Sequence, residues 1–115
     1  MIKKIFYTLV LFSLSNSLFA KSEYIKEGIN LYNKNKLEDA KFKFQQDIVF
    51  NPKSEKSYLY LSKIFNKKNE EEQEEKNLNT VILLNPKNEE ATFNLVQLKF
   101  KKSDFSESKK LIENL

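Results

Sequence analysis

The sequence repeats itself at a spacing of 34 residues, with Ile48-Val49-Phe50-Asn51-Pro52-Lys53 returning as Ile82-Leu83-Leu84-Asn85-Pro86-Lys87. The two segments hold both prolines of the chain. A fixed period of this length marks a stacked array of helical hairpins, in which each hairpin buries its apolar face only against its neighbours. Each proline stands where a helix has to end, because it lacks an amide donor and disfavours helical geometry in the residue before it. An array of this kind narrows the function to binding.

The stretches between the prolines divide into helices by the spacing of their apolar residues. Tyr24, Gly28 and Leu31 form one stripe and Leu37, Ala40, Phe44 and Ile48 the next. Asn33-Lys34-Asn35 between them supplies a turn in which asparagine can take the left-handed conformation of a helix stop. The second hairpin carries Tyr58, Leu61, Ile64 and Phe65, turns at Asn66-Lys67-Lys68-Asn69, and continues with Leu78, Val81, Ile82 and Leu84. The third opens at Asn85-Pro86-Lys87-Asn88, with Leu95, Leu98 and Phe100 before Lys101-Lys102-Ser103 and Phe105, Leu111, Ile112 and Leu115 after it. The spacing predicts an all-α solenoid of six helices, with units over 21–54, 55–88 and, incomplete, 89–115.

Residues 1–20 read as an address and are set apart from the fold. Lys3 and Lys4 make a positive start, Ile5 to Leu14 is an apolar run broken by Thr8 and Ser13, and Leu18-Phe19-Ala20 ends on a small residue. This pattern resembles a secretory signal peptide, and its apolar run falls well short of the roughly 20 residues a membrane span needs. The expectation is a signal helix cleaved after Ala20 and a protein exported across the inner membrane to the periplasm. Leu18 is larger than a cleavage site prefers, so an uncleaved amino-terminal anchor is the alternative.

Charge and composition exclude several functions. The 20 basic residues are all lysine, against 16 acidic ones. Without arginine there is no planar fork for phosphates or base edges, and nucleic acid is not an expected partner. Cysteine and histidine are absent. Residues 21–115 are therefore held by apolar burial without disulfides, and thiolate nucleophiles, imidazole bases and sulfur- or nitrogen-ligated metal sites are excluded. The run Glu70-Glu71-Glu72-Gln73-Glu74-Glu75 lacks the alternating oxygen ligands and glycine turn of a calcium loop, and reads as a helix amino terminus. No cofactor, no metal and no enzymatic activity are expected.

These residues resemble the tetratricopeptide repeat, whose pattern is an aromatic, Leu-Gly, Tyr, Ala, an aromatic and a closing Pro over 34 positions. Tyr24, Gly28, Ala40, Phe44 and Pro52 fill those places in the first unit. The second keeps Tyr58, Leu61, Phe65, Leu78 and Pro86, with Ser62 at the glycine place; the third keeps Leu95 and Ile112 and has Phe105 near its turn. Asp47 and Glu74 depart from the pattern, standing where the family prefers alanine between closely approaching helices.

The resemblance implies a concave groove, lined by the first helix of each hairpin, that holds an extended or helical peptide. Its groove places fall on Ile25, Ile29 and Tyr32, on Leu59, Lys63, Asn66 and Lys67, and on Phe93, Gln97, Phe100 and Lys101. The mixture is apolar and basic, and Ile25 and Ile29 replace the Lys and Asn with which some relatives clamp a terminal carboxylate. The expected partner is a protein segment with aromatic or aliphatic anchors and a few acidic groups. A contrasting reading makes the chain an assembly subunit of the cell envelope, docking through Leu111, Ile112 and Leu115 of its last helix. That face could equally join copies of the chain into a homo-oligomer.

Overall fold

The computed structural model describes residues 23–102 and 105–115, with backbone alone for Phe105 and Ser108. The signal-like segment 1–20 lies outside the described residues. Six helices account for the described chain, and no strand occurs among the described residues. We number them α1 (residues 23–33), α2 (Leu37–Phe50), α3 (Glu55–Lys67), α4 (Glu71–Leu84), α5 (Glu89–Lys101) and α6 (Phe105–Glu113). The all-α helical-hairpin architecture expected from the spacing is the one observed. None of the described helices is long and apolar enough to cross a membrane. The chain divides into two compact units between Pro52 and Lys53.

In the first unit, Ala40, Phe44 and Asp47 are the buried residues of α2. Gly28 on α1 is required by close approach, because a β-carbon there would lie 2.8 Å from the Phe44 ring. The turn after α1 closes with two hydrogen bonds, Asn35 N–H to the Tyr32 carbonyl and Lys36 N–H to that of Leu31, both 2.9 Å. Asn35 has φ 58°. This is the paired closure that stops a helix with a left-handed residue. Tyr24 stacks on Phe50 at 5.7 Å between centroids, and Lys43 pairs with Glu27.

The second unit repeats the device. Asn69 has φ 57°. Its N–H bonds the Asn66 carbonyl at 3.0 Å, and Glu70 N–H bonds that of Phe65 at 2.9 Å. The core of this unit joins α3, α4 and α5 through Leu59, Leu78, Val81, Ala91, Leu95 and Leu98, with Tyr58, Ile82 and Leu111 packed against it. The acidic run lies where the dipole favours it, with Glu70 at the cap and Glu71, Glu72 and Glu74 in the first turn of α4.

The two Asn-Pro-Lys segments end their helices alike and start the next ones differently. Asn88 accepts a hydrogen bond from Ala91 N–H at 2.8 Å, capping α5, whereas Ser54 makes no side-chain cap for α3. Glu55 Oε1 takes hydrogen bonds from Asn85 Nδ2 at 3.0 Å and from Asn88 Nδ2 at 2.6 Å. The start of α3 thereby fixes the loop that opens α5.

Candidate functional site

The face shared by α3 and α5 gathers the groove residues of the second unit. Phe93, Gln97 and Phe100 are three and four residues apart and so share one side of α5. Phe93 is 57% exposed and Phe100 46%. Gln97 is exposed between them. Lys63 reaches over from α3, its ammonium 2.6 Å from Glu90 Oε1 on α5 and 4.9 Å from the centroid of the Tyr60 ring. Lys67 is exposed one turn further along α3. Lys101 is held by Glu71 at 2.8 Å, a contact that raises the lysine pKa.

Leu59 needs correction. Assigned to the groove, it lies in the core against α4 and α5, because its side of α3 is the one those helices cover. Asn66, another groove place, is exposed, and its Nδ2 donates to Glu74 Oε1 at 3.0 Å. Ile25, Ile29 and Tyr32 are half-buried on α1 of the first unit. On α6, Leu111 packs inward on the core while Ile112 is exposed, and Leu115, two residues past the helix, is exposed too. Of the three residues expected at a carboxy-terminal face, Ile112 and Leu115 are therefore solvent-exposed and Leu111 is not.

The two residues that break the alanine places are both interior. Asp47 is fully buried in the first unit. Burial of the Glu74 carboxyl raises its pKa, opposed in part by the Asn66 hydrogen bond. Among the described residues no group of three carboxylates could hold a metal ion.

Sequence reasoning missed a second ionic cluster. Lys99, whose side chain is 8% exposed, lies 2.6 Å from Glu75 Oε1 on α4 and 3.0 Å from Glu107 Oε2 on α6. Lys102 reaches the other Glu75 oxygen at 2.9 Å. Hydrogen bonds from Lys99 and Lys102 lower the Glu75 pKa, and the bond to Glu75 raises that of Lys99. The available signal was helical spacing, since Lys99 lies seven residues beyond the buried Thr92 and three beyond the buried Val96, on one side of α5. Glu90 was missed as well; it stands three residues before Phe93, on the same side of the helix.

No protein-family model matches the sequence, and no curated protein is similar to it in sequence. Solved structures are similar in fold. A chain of the CopN-Scc3 complex superposes with a TM-score of 0.75 at 17% identity, covering 82% of this chain and 55% of that one. The type III secretion translocator chaperone SycD of Yersinia enterocolitica gives 0.74 at 16% identity, covering 82% and 71%. The protein pilF of Pseudomonas aeruginosa gives 0.73 at 15% identity, covering 86% and 45%. The chain therefore spans about half the length of the first and third of these. With its helix order, its turns and these likenesses, the chain has the fold of the tetratricopeptide-like helical-repeat proteins.

Proposed function

We propose that the chain is a protein-binding module that holds a segment of a partner protein on the face shared by α3 and α5. Phe93 and Phe100 carry this reading. Two large aromatic rings stand out on one side of a well-packed helix, and exposed aromatics beside a polar rim are the usual anchors of an interface. The occupant is an extended or helical segment with aromatic or aliphatic anchors. Charge supports that choice, because the lysines beside the rings, Lys63 and Lys101, already have carboxylates of the chain itself. The SycD structure is that of a secretion translocator chaperone, and a chaperone's work is likewise to hold another protein. In this reading the repeats are 21–54, 55–88 and 89–115, residues 1–20 direct export to the periplasm, and no chemistry is performed.

A second reading uses the end of the chain, where Ile112 on α6 is 49% exposed and Leu115, just past the helix, 69%. It makes the chain a subunit docked through that end.

The deciding experiment is capture from the cell envelope with the full chain tagged at its carboxy terminus. It is run beside Phe93→Ala/Phe100→Ala and Ile112→Asp/Leu115→Asp, all four positions being solvent-exposed. The proposal expects a protein retained by the end variant and lost by the aromatic one. Loss with the end variant alone would reject it in favour of the subunit reading. Amino-terminal sequencing of the same material checks export, with Lys21 as the expected first residue.

A further inference from the structure

Glu90 is the residue on the α3–α5 face that no groove pattern contains. It shares a side of α5 with Phe93 and Gln97, so its carboxylate lies among the groups a partner would meet. It reaches across to α3 and holds Lys63 at 2.6 Å. The Lys63 side chain is 26% exposed and Glu90 51%, so the pair stays open to solvent beside the rings. Lys63 is also placed over Tyr60, whose ring face favours a cation. The ammonium that would attract an acidic partner is already neutralised from within the chain.

We propose that Glu90 is a built-in substitute for a ligand carboxylate, occupying Lys63 so that the α3–α5 face selects apolar, aromatic-bearing segments and rejects those with an acidic group beside the anchor. The inference rests on the reading of this face as a partner-binding surface, and it revises the acidic partner expected from lysine content. A ligand carboxylate arriving at Lys63 has either to displace Glu90 or to lie beside it, where like charges repel. An uncharged segment leaves the pair intact and covers Phe93 and Phe100. Covering the pair removes water from it, which strengthens its internal attraction and makes an intruding carboxylate still less favourable. Rejection of the wrong partner is thus supplied by one side chain.

The test selects a displayed library of random short peptides against the full chain. Parallel selections use Glu90→Gln, Lys63→Gln and the exchanged pair Lys63→Glu/Glu90→Lys, and the variant Phe93→Ala/Phe100→Ala removes peptides that bind elsewhere. One neutral peptide from the wild-type pool, and its derivative with a single Glu beside the aromatic residue, are then measured by fluorescence anisotropy. Wild type is expected to enrich aromatic sequences without acidic residues. Glu90→Gln is expected to accept acidic ones and to bind the Glu derivative about fivefold or more tightly than wild type does. Lys63→Gln is expected to show no such gain, and the exchanged pair to restore the exclusion. Equal enrichment of acidic peptides by wild type and Glu90→Gln would overturn the role of Glu90 while leaving the face as a binding surface. Failure to find any peptide lost with Phe93→Ala/Phe100→Ala would overturn the reading of the face, and this inference with it.

Discussion

Lys99 and Lys63 each tie helices together through carboxylates, yet they sit in opposite solvent regimes. Lys99 is enclosed at the meeting of α4, α5 and α6, with Glu75 and Glu107 on either side. Lys63 spans α3 and α5 at the surface, with Glu90 and the Tyr60 ring. Attraction between charges grows as water is removed, but so does the cost of leaving one of them unpaired. An enclosed lysine therefore cannot release its carboxylates without stranding a charge, while a surface lysine can turn to water. The first cluster fastens the fold; the second is free to serve recognition.

The largest expected effect breaks the enclosed cluster. Lys99→Met leaves Glu75 with Lys102 alone on that side and removes the cation that Glu107 meets, and we expect it to destabilise by about 2–3 kcal/mol. Urea denaturation followed by helical circular dichroism measures it. A loss no larger than that of an exposed lysine would erase the distinction between the two clusters.

Acid and base should act on the same cluster in a defined sense. The Glu75 pKa is lowered below its reference of 4.5, so the stability it contributes is complete above that value and is lost as pH falls through the folded pKa. The Lys99 pKa is raised above 10.5, so its contribution is complete below that value and is lost as pH rises through the folded pKa. Denaturation midpoints of wild type and Lys99→Met should therefore differ most at neutral pH and converge toward both extremes. A difference independent of pH would assign the Lys99 effect to packing of its methylene stem.

The sequence made legible what depends on local chemistry. Asn35 and Asn69 take positive φ because short asparagine side chains tolerate it, and the prolines end α2 and α4 through their own rings. Pairings made between elements were not legible. Lys99 and Glu75 are 24 residues apart, a separation that neither helical spacing nor the 34-residue period produces. The period itself misled at Leu59, which occupies the same repeat place as Phe93. Leu59 is covered by the helices that follow it, whereas Phe93 is exposed. Repeat register reports which side of a hairpin a residue occupies, and the neighbours decide whether that side is covered. Val49 and Leu83, also 34 residues apart, are both exposed, so register and exposure agree there.

Glu74 lies between the two extremes and sharpens the contrast by its sign. It is buried, yet its bond from Asn66 comes from a neutral amide, and burial holds its pKa above the reference of 4.5. Lys101 and Glu71 nearby act on it in opposite directions, the lysine favouring its charge and the glutamate opposing it. A raised carboxyl pKa means that the folded state prefers the protonated form, so stability from this group falls as pH rises through the folded value. Glu74→Gln keeps an acceptor for Asn66 and removes the buried charge. It should stabilise by about 1 kcal/mol at neutral pH, with the gain vanishing in acid, where Glu74 itself is protonated. A loss of stability at neutral pH would mean that the charge is compensated by Lys101.

The smallest effect belongs to Lys63, and its smallness is the point. Lys63→Met keeps most of the stem over Tyr60 and leaves Glu90 to be solvated, because that carboxylate is already half exposed. The expected change in unfolding free energy is below about 0.5 kcal/mol, with no shift in the acid or alkaline limits that mark the Lys99 cluster. The same variant keeps Phe93 and Phe100 for neutral aromatic peptides, but a peptide that covers the unpaired Glu90 should bind it more weakly than wild type. A loss comparable to that of Lys99→Met would make the pair a structural fastening between α3 and α5. Glu90 would then be held in place by the fold, and a role in choosing partners would no longer be needed to explain why the chain neutralises its own groove lysine.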